Sequence, residues 1–123
     1  MTIKNVLAVA ALLCLSAGGG FAEFGVEGPV ELHIWLTAKA GQEMALEKTF
    51  KNVFYPALSS MPGFRDARMM RKVGTPQYTV RLAFDKESQR VAWVASDKHQ
   101  AAWPALEKLC SEAKYDGFAI VHP

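Results

Sequence analysis

Apolar and polar residues alternate along VELHIWLTA, at 30–38. Because successive side chains of a strand point to opposite faces, the alternation predicts a strand with one buried face. The apolar residues share that face: Val30, Leu32, Ile34 and Leu36. The opposite face carries two chemically interesting side chains, His33 and Trp35.

The next segment, QEMALEKTFKNVFYPAL at 42–58, has the period of an amphipathic helix. Its apolar stripe consists of Leu46, Phe50, Val53, Phe54 and Ala57. Pro56 and the MPGF turn at 61–64 are predicted to end this helix. Two strand-like runs follow at 64–74 and 77–85, and the short connection around Gly74 predicts a hairpin.

A second helix, capped by Asp85 or Ser88, is predicted to carry Trp93, to break at Ser96 and Asp97, and to restart through KHQAAWPALEKLC at 98–110. A last strand is predicted within YDGFAIVHP at 115–123. The order β-α-β-β-α-β predicts an α+β ferredoxin-like plait, with both helices on one face of a four-stranded antiparallel sheet. Because the other face would be bare, we expect a homodimer whose sheets pack into one α/β barrel.

The first 22 residues have the pattern of a secretory signal peptide: one lysine near the start, an apolar run from Val6 to Leu15, and small residues up to Ala22. The run is too short to span a bilayer core of about 30 Å. We therefore expect residues 1–22 to be removed on export and residues 23–123 to form a periplasmic or secreted domain that is not attached to a membrane. Cys110 would then be the single cysteine, without a disulfide partner, and it reads as a small buried hydrophobe.

Composition and charge argue against some classes of function. The chain has 123 residues, half of them apolar, which is enough for one domain with a real core. Its net charge of +2 comes from interspersed acids and bases. No basic face points to a nucleic-acid partner, and no cysteine cluster points to a metal.

Four segments, taken in order, resemble the antibiotic biosynthesis monooxygenase family of dimeric α/β-barrel proteins. They are the end of the first strand (TAKAGQE), the turn after the first helix (MPGF), the end of the third strand (LAFDKES) and the broken helix (AWVASDKHQAAW). The resemblance covers residues 30–122. It implies a homodimer that oxidises a small aromatic or quinol-type compound with dioxygen and needs no cofactor.

Such an oxygenation needs a base for a phenolic proton, an apolar pocket, and donors that stabilise the anion formed. Histidine is the natural base near neutral pH, so His33 and His99 are the candidate catalytic bases. Arg81 is the candidate group that steadies a phenolate, and Tyr55 and Tyr78 are further candidate donors. The large aromatic residues are expected to line the substrate pocket: Trp35, Phe50, Phe54, Trp93 and Trp103. His122, next to the terminus, is expected at the surface.

A related branch of the superfamily degrades haem, and Trp93 matches the tryptophan that presses on the macrocycle there. The haem-ligating histidine of that branch falls where this chain has Trp103, and its first-strand asparagine falls on or beside Ile34. His99, one turn before Trp103, is the alternative iron ligand. The alternatives to a cofactor-independent monooxygenase are therefore a haem-binding or haem-degrading protein and a non-catalytic dimer that binds a small ligand.

Overall fold

A computed structural model describes residues 24–123, and the predicted signal peptide at 1–22 lies outside these described residues. The elements follow the chain in this order: β1 (Val30–Ala38), α1 (Glu43–Thr49), a π-helical turn (Phe50–Phe54), α2 (Tyr55–Ser59), β2 (Phe64–Arg71), β3 (Gln77–Phe84), α3 (Glu87–Ala95), α4 (Asp97–Glu107) and β4 (Cys110–Ala119).

The four strands form one antiparallel sheet in the order β2-β3-β1-β4. This is the predicted ferredoxin-like arrangement, and it makes β1 a central strand. Its aliphatic face is buried under the helices, where Val30 is 0% and Leu36 2% exposed. The opposite face carries His33 and Trp35 and is left half-exposed by the described residues. We call it the open sheet face.

The first predicted helix is interrupted by a π-helical turn, which the sequence period did not reveal. Phe50 and Phe54 remain buried, but Val53, predicted in the apolar stripe, is 42% exposed. A π-helical turn has more residues per turn than an α-helix, so it changes which side chains face the core downstream. Leu58 is buried beyond it. Pro56 does not end the helix; it lies in the first turn of α2, directly after the π-helical turn.

Other boundaries also differ from those predicted. β2 ends at Arg71, and α4 ends at Glu107 although its Pro104 lies inside the helix. Cys110 starts β4 instead of ending a helix, so the last strand begins five residues earlier than predicted. The alternation is weak there because inward positions hold small residues such as Ala113 and Gly117. Cys110 is buried as expected, and burial raises the pKa of its thiol to about 11.

A glycine turn and two helix caps set the ends of the helices. In the MPGF turn, Gly63 has φ of 83°, a left-handed conformation that favours glycine, and its carbonyl accepts from the Asp85 amide at 2.9 Å. Ser96 caps α4, as predicted. The cap of α3 is Lys86, not Asp85 or Ser88, and its amide donates to Gln89 Oε1 at 3.0 Å.

Candidate active site

An aromatic cluster lies between the helices and the sheet. Trp93 of α3 meets Phe54 of the π-helical turn edge-on, with 5.6 Å between ring centroids. His99 of α4 also meets Trp93 edge-on, at 5.0 Å, and stacks at 6.3 Å with Trp103 of the same helix. Phe50 stacks on Phe54 at 5.8 Å. We call these five residues the helix-layer cluster.

The break between α3 and α4 places His99 in this cluster. Ser96 ends α3 by donating its hydroxyl to the Trp93 carbonyl at 2.7 Å, and the same oxygen accepts from the His99 amide at 3.2 Å. A serine at this position satisfies an amide that the first turn of a helix leaves unpaired. One side chain therefore fixes both Trp93 and His99, which come from different helices.

His99 is the polar group of the cluster. Its Nδ1 is fully buried and has no hydrogen-bond partner among the described residues. Burial, and secondarily the positive charge of Arg90, lower the pKa of His99 to about 4. The imidazole is therefore neutral at neutral pH, and a buried ring nitrogen without a partner is free to bond to a small polar molecule.

Most of the cluster is tightly buried, but its edge is not. Trp93 and Phe54 are each 1% exposed and Phe50 is 8% exposed, whereas His99 and Trp103 are partly exposed. The expected substrate residues are brought together, with the exception of Trp35. The expected open chamber beneath the helices is instead occupied by Phe54.

A second set of candidate residues meets on the open sheet face. Glu31 Oε2 accepts from Arg81 Nε at 2.7 Å and lies 2.7 Å from His33 Nε2. His33 and Arg81 are register partners on neighbouring strands, and Glu31 is two residues before His33. Side chains at such positions share one face of a sheet, so the three groups converge by strand geometry alone.

Electrostatics favour the charged form of this carboxylate. Burial by itself would raise the pKa of Glu31, but the hydrogen bonds from Arg81 and His33 outweigh burial and hold the pKa below its ordinary value. The same bond to Glu31 raises the pKa of Arg81. Glu31 thus joins the histidine and the arginine into one ionic network.

Aromatic side chains flank the network. The ring of Phe118 lies 4.2 Å from that of His33, and Trp35 lies 6.0 Å away. Beside them is a groove of about 630 Å³. Its lining combines apolar and polar groups and runs along three strands: Trp35, Thr37, Gln77, Thr79, Lys114 and Asp116 are among its residues. Trp35 therefore belongs to the open sheet face and not to the helix-layer cluster.

No protein-family profile and no curated protein match the sequence. Solved structures do match. SnoaB from Streptomyces nogalater, described as a cofactor-independent oxygenase, is 15% identical with a TM-score of 0.70, over 78% of this chain and 96% of SnoaB. A proposed antibiotic biosynthesis monooxygenase from Caulobacter crescentus is 15% identical with a TM-score of 0.71, over 79% and 93% of the two chains. Another, from Chloroflexus aurantiacus, is 18% identical with a TM-score of 0.65, over 77% and 95%. The chain has the antibiotic biosynthesis monooxygenase fold.

Within this monooxygenase fold, the predicted catalytic residues divide between the two faces of the sheet. His99 lies in the helix layer, whereas His33 and Arg81 lie together on the open sheet face. Arg81 therefore does not share a site with His99. Glu31 was missed by sequence reasoning, although its position two residues before His33 was a signal that could have found it.

The tyrosines do not supply donors to the helix-layer cluster. Tyr78 is buried and donates to Glu47 at 2.6 Å, and burial, followed by this carboxylate, raises its pKa to about 12. Tyr55 is 37% exposed and packs against Phe50 and Phe64. His122 is exposed, as expected.

Two arginines of β2 pair with carboxylates. Arg65 lies 3.5 Å from Asp85, and Arg71 lies 3.6 Å from Glu47. Among residues 24–123, no group of three or more His, Cys, Asp or Glu side chains could hold a metal ion. No helix in this part of the chain is both long enough and apolar enough to cross a bilayer.

Proposed function

We propose that this protein is a cofactor-independent monooxygenase that oxidises a small aromatic or quinol-type compound with dioxygen. The observation that carries the proposal is the buried, unpartnered Nδ1 of His99, whose imidazole contacts the rings of Trp93 and Trp103. An apolar site with one polar group suits a planar phenol. The fold, and the description of SnoaB as a cofactor-independent oxygenase, support the same reaction class.

The chemistry needs no group beyond the substrate and dioxygen. A base removes the phenolic proton, and the phenolate passes one electron to dioxygen. The resulting phenoxyl radical and superoxide combine at a ring carbon, and the base returns its proton to the peroxide. Loss of the ring hydrogen then breaks the O–O bond, leaving a quinone carbonyl and one water molecule. Each product receives one oxygen atom.

His99 is the base in this proposal. Its lowered pKa keeps it neutral at neutral pH, but it also makes His99 a weaker base than a free imidazole. The protonated form is costly in a dry, apolar site unless an anion stays beside it. The phenolate formed in the same step is that anion, so proton transfer produces an ion pair that the surrounding rings shield from water.

Substrate entry requires Phe54 to move. Its ring lies against both Trp93 and Trp103, two rings that contact the imidazole. Phe54 belongs to the π-helical turn, and such turns occur frequently at functional sites. We propose that rearrangement of this turn admits a ligand of about the size of the displaced ring.

A haem does not fit around His99 in this structure. A macrocycle needs a wide slot beside its iron ligand, whereas Trp93 and Phe54 are each 1% exposed and packed against one another. Trp103 also stacks on the imidazole at 6.3 Å, where such a slot would have to open. Haem therefore has no part in the proposed reaction.

Oxygen consumption with a panel of hydroquinones and phenols tests the proposal. His99→Phe keeps a ring in the cluster and removes the base, whereas His33→Phe makes the same change on the open sheet face. We expect the first variant to lose turnover by at least about 100-fold, which is typical for loss of a general base, and the second to retain it. Binding without oxygen uptake by the wild-type protein would instead identify a non-catalytic ligand-binding dimer.

We also propose that the protein is a homodimer joined through the open sheet face. Three of the large hydrophobic residues that are exposed in this protein lie on that face: Trp35, Met70 and Phe118. The face carries charges of both signs, such as Glu31 and Lys114, so it can be complementary to a second copy of itself across a twofold axis.

A further inference from the structure

A buried ion pair on α3 lies against the first residue that the structure describes. Glu87 and Arg90 are 0% and 2% exposed and are joined by two hydrogen bonds of 2.8 Å. The Phe24 amide donates to Glu87 Oε2 at 3.1 Å, and the Phe24 ring lies over the Arg90 guanidinium, with its centroid 4.1 Å from Cζ. Phe24 therefore contacts both members of the pair, one through its backbone and one through its ring.

β4 provides the other side of the Phe24 site. A Cβ atom added at Gly117 would overlap the Phe24 ring, so the ring lies directly on the backbone of this strand. Close approach of this kind is a reason for glycine inside a strand. The residues after Phe24 continue the contact, because the Glu87 amide donates to the Glu27 carbonyl at 3.3 Å and the Ile120 amide donates to the Pro29 carbonyl at 2.9 Å. We call residues 24–29 the N-terminal clasp.

The clasp stabilises the buried ion pair between Glu87 and Arg90. A buried ion pair is stable only when its members are well hydrogen-bonded and shielded from water, since removing two charges from water is expensive. Phe24 supplies an additional hydrogen bond to the carboxylate and an aromatic face to the guanidinium. Loss of Phe24 would expose one face of the pair and leave a gap against Gly117.

The ion pair also connects the clasp to the helix-layer cluster. Arg90 and Trp93 are three residues apart on α3, so they lie one turn from each other. The charge of Arg90 reaches His99, where it adds to the effect of burial in lowering the pKa of the imidazole. A change in the position or solvent exposure of Arg90 should therefore change the pKa of His99.

We propose that Phe24 is the N-terminal anchor of the mature domain, that leader cleavage falls on its N-terminal side, and that its docking holds α3, with Arg90 and Trp93, in position next to His99. The site formed by Glu87, Arg90 and Gly117 is thus occupied by a segment of the same chain. The part of the proposal that concerns catalysis rests on the proposed function, whereas cleavage and docking do not.

The cleavage site is tested by exporting the full chain from a bacterial host and measuring the intact mass of the product. We expect a chain that has lost the apolar run at 6–15 and still contains Phe24, such as one that begins at Glu23. A mature chain that begins at Gly25 or later would overturn the proposal, and so would an exported chain that keeps residues 1–22.

Docking is tested by a double-mutant cycle between Phe24 and Gly117 in the exported protein. Gly117→Ala is expected to lower Tm by about 5 °C or more when Phe24 is present, because the new methyl group displaces the ring. In the Phe24→Ala background the same change should have little effect. Additive shifts would overturn the proposed docking. If Phe24→Ala does not fold, Phe24→Leu, which keeps an apolar side chain but no ring, replaces it.

The link to the site is tested by NMR titration of the His99 imidazole. Phe24→Leu exposes Arg90 to solvent, which screens its charge, so we expect the His99 pKa to rise relative to that of the wild type. Val121→Ala, at a residue that is 90% exposed, is the matched control and should leave the titration unchanged. An unaltered His99 titration in Phe24→Leu would overturn the link. Because oxygen uptake is not the readout, this result is independent of whether the protein is an oxygenase.

Discussion

The ring of Phe54 meets the indole of Trp93 at an angle of 83°, and both residues are 1% exposed. This contact lies within the helix-layer cluster, in which Trp93 also contacts His99. Phe54 is placed there by a π-helical turn and not by the regular α-helix that the sequence period predicted. At this contact the structure departs from the predicted regular helix. In the proposed function it is also the point at which a ligand enters.

Replacement of Phe54 by alanine should open the cluster. We expect the free energy of unfolding to fall by about 3–5 kcal/mol, the range for a buried phenylalanine, and an apolar cavity to form beside His99. Cavities of this kind bind small aromatic molecules, so phenol should raise the Tm of Phe54→Ala and not that of the wild type. Urea unfolding and thermal shift measure the two effects.

Val53→Ala is the control for Phe54→Ala, because Val53 belongs to the same turn but is 42% exposed. It should lose little stability and gain no response to phenol. If phenol stabilises neither variant, Phe54 does not occupy a ligand-sized space beside His99.

The pH dependence of stability should reveal His99. Its pKa is lowered to about 4 in the folded protein, against an ordinary value of 6.5, so the unfolded chain binds the proton more readily. Stability is then fully present above pH 6.5 and is lost as the pH falls from 6.5 towards 4. The loss due to this residue is on the order of 2–3 kcal/mol. Denaturant unfolding at several pH values measures it.

His99→Phe removes this titration while keeping a ring in the cluster. The difference in unfolding free energy between the wild type and His99→Phe should therefore change between pH 6.5 and 4 and be constant above that range. A constant difference over the whole range would mean that His99 is not buried in its neutral form.

The strand pattern could be predicted because it depends on local alternation. The buried face of β1, which includes Val30 and Ile34, and the sheet order that follows from β-α-β-β-α-β connectivity needed no knowledge of distant contacts. β4 was harder to place. Its inward positions hold small residues such as Ala113 and Gly117, and it starts soon after a helix, so Cys110 was assigned to the preceding helical period instead.

The candidate site could be predicted only in part. Trp93, His99 and Trp103 lie within one broken helix, and their proximity follows from helical spacing and the Ser96 cap. The position of Phe54 depends on a π-helical turn, which no residue type specifies by itself. Glu31 depends on cross-strand register, because the carboxylate meets Arg81 from a strand about fifty residues away.

Glu31→Gln should weaken the network on the open sheet face. It removes the charge that holds His33 and Arg81, whose bonds to Glu31 are both 2.7 Å, and we expect a loss of about 1 kcal/mol at neutral pH, because the network is partly exposed. Since the pKa of Glu31 is lowered in the folded protein, its contribution is present above pH 4.5 and is lost as the pH falls through the folded pKa. The loss in Glu31→Gln should therefore shrink below pH 4.5.

Glu112→Gln is the control for Glu31→Gln, since Glu112 lines the same face but lies 3.8 Å from a single lysine, Lys114, with both side chains at least half exposed. Its effect should be close to zero at every pH. Equal effects of the two substitutions would show that the Glu31 network adds nothing beyond an ordinary surface charge pair.

Trp35→Glu should dissociate the proposed homodimer. Trp35 is 38% exposed at the centre of β1, beside a groove on the face that also presents Phe118, and a buried aromatic anchor is often a dominant residue of an interface. A carboxylate in its place would be desolvated without a partner, so the dissociation constant should rise by about 100-fold or more. Sedimentation velocity over a range of concentrations measures this constant.

Val121→Glu makes the same change at a residue beyond the end of β4 that is 90% exposed, and it should leave the dimer intact. A wild-type protein that remains monomeric at all concentrations would contradict the proposed dimer, because the open sheet face would then be stable in water without a second copy.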